Sequence, residues 1–245
     1  MKIAMWSGPR NLSTALMYAF AARGDCEVWD EPFYAAYLKV SGLDHPMRDE
    51  IIAAHEADPE TVAAQLDAPT ERHFYGKQMV MHMLPGFPKD WMRHQVNVFL
   101  TRRPEAVIAS YAAKRENPVL DDLGFRQQAE LFDEVADWLG HAPPVIDSDD
   151  ILADPEAALK ALCAAIGLPF TEKMLTWPPG PKPFDGVWAR HWYGAVHGSS
   201  GLVRSSLVQP VLSGEQQRLA ASARPYYERL RSKSMPTNPT ETCQA

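Results

Sequence analysis

The chain has 245 residues, 46% of them hydrophobic and 22% charged, with a formal net charge of −7. That balance suits one large globular domain and excludes a disordered or collagen-like chain. No apolar run approaches the ~18 to 20 residues of a membrane span, and the acidic total argues against general nucleic-acid binding.

In chain order, the start MKIAMWSGPR is a short apolar run that stops at Gly8-Pro9, which predicts a first strand rather than a signal peptide and hence a cytoplasmic protein. STALMYAFAARG sets Leu16, Met17 and Phe20 at helical spacing and ends at Gly24. CEVWDEPF reads as a second strand ended by Pro32. Residues 44–72 are acidic and alanine-rich, with Pro46 and Pro59 as helix starts, and read as a helical insertion over the strand ends. RHFYGKQMVMHM is the third strand and QVNVFLT the fourth. PEAVIASYAAKRE and FRQQAELFDEVADWLG follow as helices, and PPVIDS is the fifth strand. DPEAALKALCAAIG carries an aspartate cap, Pro155 in its first turn and Gly167 as terminator. Residues 177–202, rich in Trp, His, Gly and Pro, have the character of a lid over a ligand. The capping pattern Ser213 to Gln216 opens a last helix, and residues 232–245 read as a disordered tail.

Strands alternating with helices predict a single α/β domain over residues 1–231, with a parallel sheet of about five strands and helices on both faces. In such a sheet the ligand lies outside the carboxyl ends of the strands. Those ends are Ser7 to Arg10, Asp30 and Glu31, Met81 and His82, Thr101 to Arg103, and Asp147. Charge is uneven along the chain: residues 1–24 hold three bases and no acid, residues 89–115 six bases against two acids, and residues 116–160 two against twelve. Two basic islands in an acidic protein suit a small anionic ligand. Cys26, Cys163 and Cys243 form no CxxC and have no histidine pair nearby, so the first two read as buried apolar residues and no metal is expected.

Two stretches carry anion chemistry. In GPRNLST, backbone N–H groups at a helix start favour an anion, Arg10 adds a fork of donors, and Ser13 and Thr14 add hydroxyls. A tight turn capped by Ser13 explains the same residues. In FLTRRPEAVIASY, Arg102 ends a buried strand and Ser110 lies on the following helix. A surface ion pair and a helix-face serine are the plainer account of that pair.

Together these stretches resemble the sulfotransferases that use 3′-phosphoadenylyl sulfate. In that family P-[KR]-S-G-[ST]-[ST] binds the 5′-phosphosulfate and R-x-P-x-x-x-x-x-S binds the 3′-phosphate. Pro9, Arg10, Asn11, Leu12, Ser13 and Thr14 fill the first motif, and Arg102, Pro104 and Ser110 fill the second at the same spacing. DSDDILADPEAALKALCAAIGLPF resembles the family's Y-E-D-L-x-x-D-P segment and its helix. The resemblance covers residues 1 to about 205 and implies a P-loop-type fold with sulfuryl transfer to a hydroxyl or amine of a small acceptor, no nucleic-acid or membrane partner, and an open oligomeric state, a homodimer included. Leu12 departs from the family's glycine, and the loop is expected to close without positive φ there.

A base is expected at the strand ends. Glu31 is the first choice, near the position of the catalytic glutamate in tyrosylprotein and several bacterial sulfotransferases. Strand alternation would send Asp30 and Glu31 to opposite faces, so only one would reach the site. His82 is the rival base, and Lys77 a candidate for stabilising the departing oxygen. Lys182 or Arg190 of the lid stands where the family places a late nucleotide contact. A P-loop kinase, disfavoured by the missing GxxxxGK[ST] lysine, and a non-catalytic nucleotide-binding module are the alternatives.

Overall fold

A computed structural model describes residues 1–113, 117–207 and 209–236. Its elements, in order, are β1 (Lys2–Ser7), α1 (Ser13–Ala22), β2 (Cys26–Asp30), α2 (Tyr34–Ser41), α3 (Arg48–Ala54), α4 (Pro59–Asp67), β3 (His73–Met79), β4 (Val96–Thr101), α5 (Pro104–Ala112), α6 (Leu120–Leu123), α7 (Phe125–Leu139), β5 (Val145–Asp147), α8 (Ser148–Ala153), α9 (Pro155–Ile166), α10 (Ala189–Trp192), α11 (Gly194–His197) and α12 (Gly214–Arg231). Short 3-10 turns at Val80–His82, Asp90–His94 and Glu172–Leu175 complete it. No helix of the described residues is long and apolar enough to cross a membrane.

The five strands form one parallel sheet in the order β2-β3-β1-β4-β5. β1 is central because both of its faces are apolar: Ile3 and Met5 enter one core, Ala4 and Trp6 the other. That is the period-two pattern of a strand buried on both sides. Leu16, Met17 and Phe20 of α1 and Leu159, Leu162 and Ile166 of α9 cover the first face, while Leu131, Phe132 and Val135 of α7 cover the second. Chain order reverses across β1, so its carboxyl end opens into the crevice between the β3 and β4 sides, where open α/β sheets hold ligands.

Local sequence explains the ends of the elements. Asp154 accepts from the Ala157 N–H at the start of α9, Pro155 follows it, and Gly167 stops the helix at φ 72° in the left-handed conformation that glycine reaches without strain. Ser213 and Gln216 form the expected capping box of α12. Residues 44–72 contribute α3 and α4, but α4 does not lie over the ligand edge. Lys2 donates to the Leu66 and Ala68 carbonyls, which places the end of α4 at the amino ends of the strands, because Val62, Ala63 and Leu66 complete the second core. Residues 80–82 leave β3 for a 3-10 turn, shorter than the strand expected to run to residue 83. Residues 232–236, expected in the tail, include a bridge from Ser234 to Val145; residues 237–245, Cys243 among them, lie outside the described residues. Cys26 and Cys163 are free and buried.

The loop after β1 is held from outside by α6. A Cβ at Gly8 would stand 2.4 Å from the Leu123 carbonyl oxygen, an approach that backbone must yield to accommodate. Gly8→Ala is therefore expected to lower stability by about 1–3 kcal/mol, read as a lower urea midpoint at unchanged m-value.

Candidate active site

The first side of the site is the loop from Gly8 to Leu12. Arg10 and Leu12 both have positive φ, 62° and 63°, so the loop takes at residue 12 the left-handed conformation usually left to glycine. The expectation of a loop without positive φ there does not hold. A leucine in this region costs about 1–2 kcal/mol, and the surrounding structure holds it. Asn11 is buried, its Nδ2 donates to the Leu100 carbonyl at 3.3 Å, and Ser148 Oγ lies 2.8 Å from the Asn11 and Thr101 carbonyls. Left-handed residues in a turn make a concavity of backbone N–H groups that suits anions. It leads into α1, which has no side-chain cap, and among the described residues the hydroxyls of Ser13 and Thr14 form no hydrogen bond within the protein.

The two anion motifs interlock. Arg10 Nε donates to Ser110 Oγ at 2.8 Å, and Arg102 Nη1 donates to the Arg10 carbonyl at 2.9 Å. Sequence separated these residues into two phosphate grips; folding makes them one patch, because β1 and β4 are neighbours. Burial depresses the Arg10 guanidinium, and likewise that of Arg102, which Asp149 partly offsets. Arg102 Nε is buried without a partner. An orphaned guanidinium donor beside two strained backbone turns fits a phosphate-bearing ligand.

The second side is a carboxylate cluster at the ends of β2 and β3. Asp30 lies opposite Lys77 in the parallel register. Lys77 Nζ donates to Asp30 Oδ1 at 3.0 Å, to Glu31 Oε1 at 2.6 Å and to the Tyr193 hydroxyl at 2.5 Å. Asp30 and Glu31 therefore reach the same cation, against the expectation from strand alternation. The strand ends at Asp30, and Glu31 adopts φ 44°, which turns its side chain out of the pleat. Burial lowers the tendency of Lys77 to hold its proton, but Asp30 and Glu31 outweigh it and raise the pKa above the ordinary value. All three ammonium protons have acceptors inside the cluster, so none is spare for a departing oxygen, the role first suggested for Lys77. Burial raises the Glu31 pKa above the usual carboxyl value, Lys77 opposes this and Asp30 adds to it.

His82 stands beside the cluster, its Nδ1 3.9 Å from Glu31 Oε2, beyond hydrogen-bond reach. Its ring is sandwiched between Tyr34 at 4.5 Å and Tyr37 at 4.8 Å. Burial, with His45 and Lys77, holds its pKa well below the ordinary value, so it is neutral at neutral pH with a buried, unpartnered Nδ1.

A cavity of about 570 Å³ joins the two sides. Eleven of the residues singled out in the sequence border it: Pro9, Arg10, Asn11, Leu12, Ser13, Thr14, Glu31, Lys77, His82, Arg102 and Ser110. Residues 177–202 contribute Trp192, Tyr193 and Val196 to its wall, and a bridge between Thr176 and Gly201 closes the base of that segment. Asp185 pins it to α1 by accepting from the Tyr18 hydroxyl at 2.7 Å. Lys182 and Arg190 do not border the cavity; the first donates to the Pro178 carbonyl and the second pairs with Glu50. Sequence reasoning missed Tyr193 and the shared part of Asp30. Only the aromatic density of the 177–202 segment hinted at the former.

The cluster sets a test of stability. Lys77→Met strands two buried carboxylates and is expected to cost about 3–5 kcal/mol at neutral pH. In that variant the Glu31 pKa, which Lys77 otherwise holds down, rises further in the folded state, so protonation favours folding. The deficit therefore grows as pH rises through the folded-state value and shrinks toward acid, which urea titrations at several pH values will show.

Comparison with known proteins agrees with this geometry. Branched-chain-amino-acid aminotransferase-like proteins 1 and 2 of Arabidopsis thaliana are 36% identical over 232 residues and 37% identical over 201. Those alignments cover 94% and 81% of this chain but 41% and 36% of the relatives, so the chain spans less than half of the curated relatives it matches. A solved structure, the Sulfotransferase Domain from the Curacin Biosynthetic Pathway, shares the fold with a TM-score of 0.51 over 96% of this chain and 98% of its own, at 17% identity. Residues 1–234 match the family described as Sulfotransferase domain. A patch of arginines at the ends of β1 and β4, facing a buried carboxylate across one cavity, is thus set in a chain that belongs to the sulfotransferase domain family.

Proposed function

We propose that this protein transfers a sulfuryl group from 3′-phosphoadenylyl sulfate to the hydroxyl of a small acceptor, with Glu31 as general base. The supporting observation is the single cavity that carries an unsatisfied cationic patch at one side and a carboxylate of raised pKa at the other. When bound, 3′-phosphoadenylyl sulfate supplies the sulfuryl group and leaves as adenosine 3′,5′-bisphosphate. The Pro9–Leu12 backbone, Ser13 and Thr14 hold its 5′-phosphosulfate, Arg102 and Ser110 its 3′-phosphate, and Arg10 ties the two grips together. Donors fixed in place before the reaction stabilise developing charge without reorganisation.

Glu31 presents Oε2 to the acceptor while Lys77 holds Oε1. A carboxylate suits a hydroxyl better than an amine. An alcohol's proton becomes acidic as its oxygen bonds to sulfur, whereas an ammonium must first lose a proton with a pKa near ~10, far above any carboxyl group. Neutral His82, fixed between two tyrosine rings, offers its Nδ1 to the same hydroxyl and positions it. Free buried thiols suit a reducing cytoplasm.

Calorimetric titration tests the donor site. Arg102→Ala should weaken adenosine 3′,5′-bisphosphate by about ten- to a hundredfold, the loss of a charged hydrogen-bonding group; unchanged affinity, or equal or tighter binding of ATP with Mg²⁺, would overturn the assignment in favour of a kinase-like site. Glu31→Gln should lower kcat for sulfation by about 10²–10⁴ with bisphosphate affinity retained. A loss seen in His82→Ala but not in Glu31→Gln would transfer the base to His82, and no sulfation by the wild type across a broad acceptor panel would favour a binding module.

A further inference from the structure

The base is built from three distant parts of the chain, and one of them lies on the segment that walls the cavity. Tyr193 is buried and its hydroxyl has a full set of partners. It accepts from Lys77 at 2.5 Å and from Trp188 Nε1 at 3.1 Å. Its one proton goes to Asp30, whose two oxygens are each 2.8 Å away, rather than to Glu31 Oε1 at 3.4 Å. Asp30 Oδ2 also accepts the Gly186 N–H at 3.1 Å, so residues 186–193 are tied to Asp30 twice. Neither tie uses Glu31 Oε2, which faces the cavity side toward His82.

We propose that Tyr193 is a positioning residue for the base: its neutral hydroxyl completes the Asp30–Lys77 cluster, which holds one Glu31 oxygen in place and leaves the other to the acceptor. The inference rests on the reading of Glu31 as the base of a sulfotransferase. Charge explains why a hydroxyl serves here. Two carboxylates share one ammonium, so the cluster holds one excess negative charge, which when buried needs a further hydrogen-bond donor to solvate it. A second cation would supply that donor but would make Glu31 a weak base. A tyrosine donates a proton and adds no charge. The groups that face this cluster do not compete with it: burial keeps His82 neutral and raises the Tyr34 hydroxyl out of range, burial likewise lowers the pKa of His55 and raises those of Tyr18 and Tyr75, all three of which feel the Asp30 charge, His45 bonds Tyr34, and His197, beside the Tyr193 ring, bonds Asp185 at 3.0 Å.

Tyr193→Phe in the full chain removes one oxygen atom. Without that hydroxyl Asp30 loses its proton donor, and because the Asp30 charge already adds to the raised pKa of Glu31, the Glu31 midpoint should move to higher pH. Carbon-13 NMR titration of the glutamate carboxyls, with Glu31 assigned through Glu31→Gln, reads this directly. kcat/KM for sulfation of 4-nitrophenol below that midpoint should fall about fivefold, the worth of one hydrogen bond, while the calorimetric affinity for adenosine 3′,5′-bisphosphate stays unchanged. Placing 3-fluorotyrosine at residue 193, a stronger donor of the same shape, should move the midpoint to lower pH and serves where the phenylalanine variant does not fold. A Glu31 midpoint unmoved in both proteins, or a parallel loss of bisphosphate affinity, overturns the inference. If Glu31→Gln retains wild-type sulfation, the base assignment itself fails; if it abolishes sulfation while the midpoint stays fixed, only the role of Tyr193 falls.

Discussion

The carboxylate side of the ligand edge depends on one buried ammonium. Lys77 is 1% exposed, and a cation in that position is tolerable only with acceptors for all of its protons. The parallel register provides Asp30 as the first. The second, Glu31, is reached by a left-handed backbone turn immediately after the strand, and the third, Tyr193, arrives from a segment more than a hundred residues away. The need to satisfy one side chain thus brings β2, β3 and the cavity wall together. It leaves a carboxylate at their junction with one oxygen tied and one presented.

The opposite side of the cavity is organised by strain rather than by pairing. Arg10 and Leu12 hold conformations that cost free energy, and Gly8 allows α6 to press against the loop from outside. Buried anchors at Asn11 and Ser148 keep the turn closed. With the loop fixed in this way, its N–H groups, the start of α1 and the side chains of Arg10, Ser110 and Arg102 converge on one patch. The patch carries a buried donor without a partner.

Residues 177–202 connect the two sides. Asp185 fastens them to α1, which follows the Gly8–Leu12 loop, and Tyr193 fastens them to the Asp30–Lys77–Glu31 cluster. Trp188 packs in the same cluster as Tyr34, Tyr37 and Ile51, so α2 and α3 support the wall against which an acceptor would rest. A segment read in the sequence as a lid is therefore structural support for both sides of the cavity.

Much of the architecture was legible in the sequence. The short apolar run of KIAMWS, the helical stripe of STALMYAFAA, and the caps at Asp154, Gly167 and Ser213 are local properties, determined by neighbours within a few residues. Most of the candidate residues were also legible, because strand carboxyl ends are predictable wherever strands are: eleven of them border one cavity, whereas Lys182 and Arg190 do not. What local sequence could not decide was how those ends combine. Strand alternation assigned Asp30 and Glu31 to opposite faces, since it holds only while the pleat continues; a left-handed residue broke it. Leu12 in place of glycine argued for a different turn, since propensity counts the local cost and omits the tertiary contacts that offset it. Residues 44–72 appeared suited to cover the strand ends, yet burial of Val62 and Leu66 carries α4 to the opposite end of the sheet. The sequence by itself determined which elements form and which side chains stand at their ends. Tertiary structure alone decided that Arg10 meets Ser110 and that Tyr193 completes the Lys77 cluster, because hydrogen bonds over a hundred residues of separation depend on how the sheet and its helices close in space.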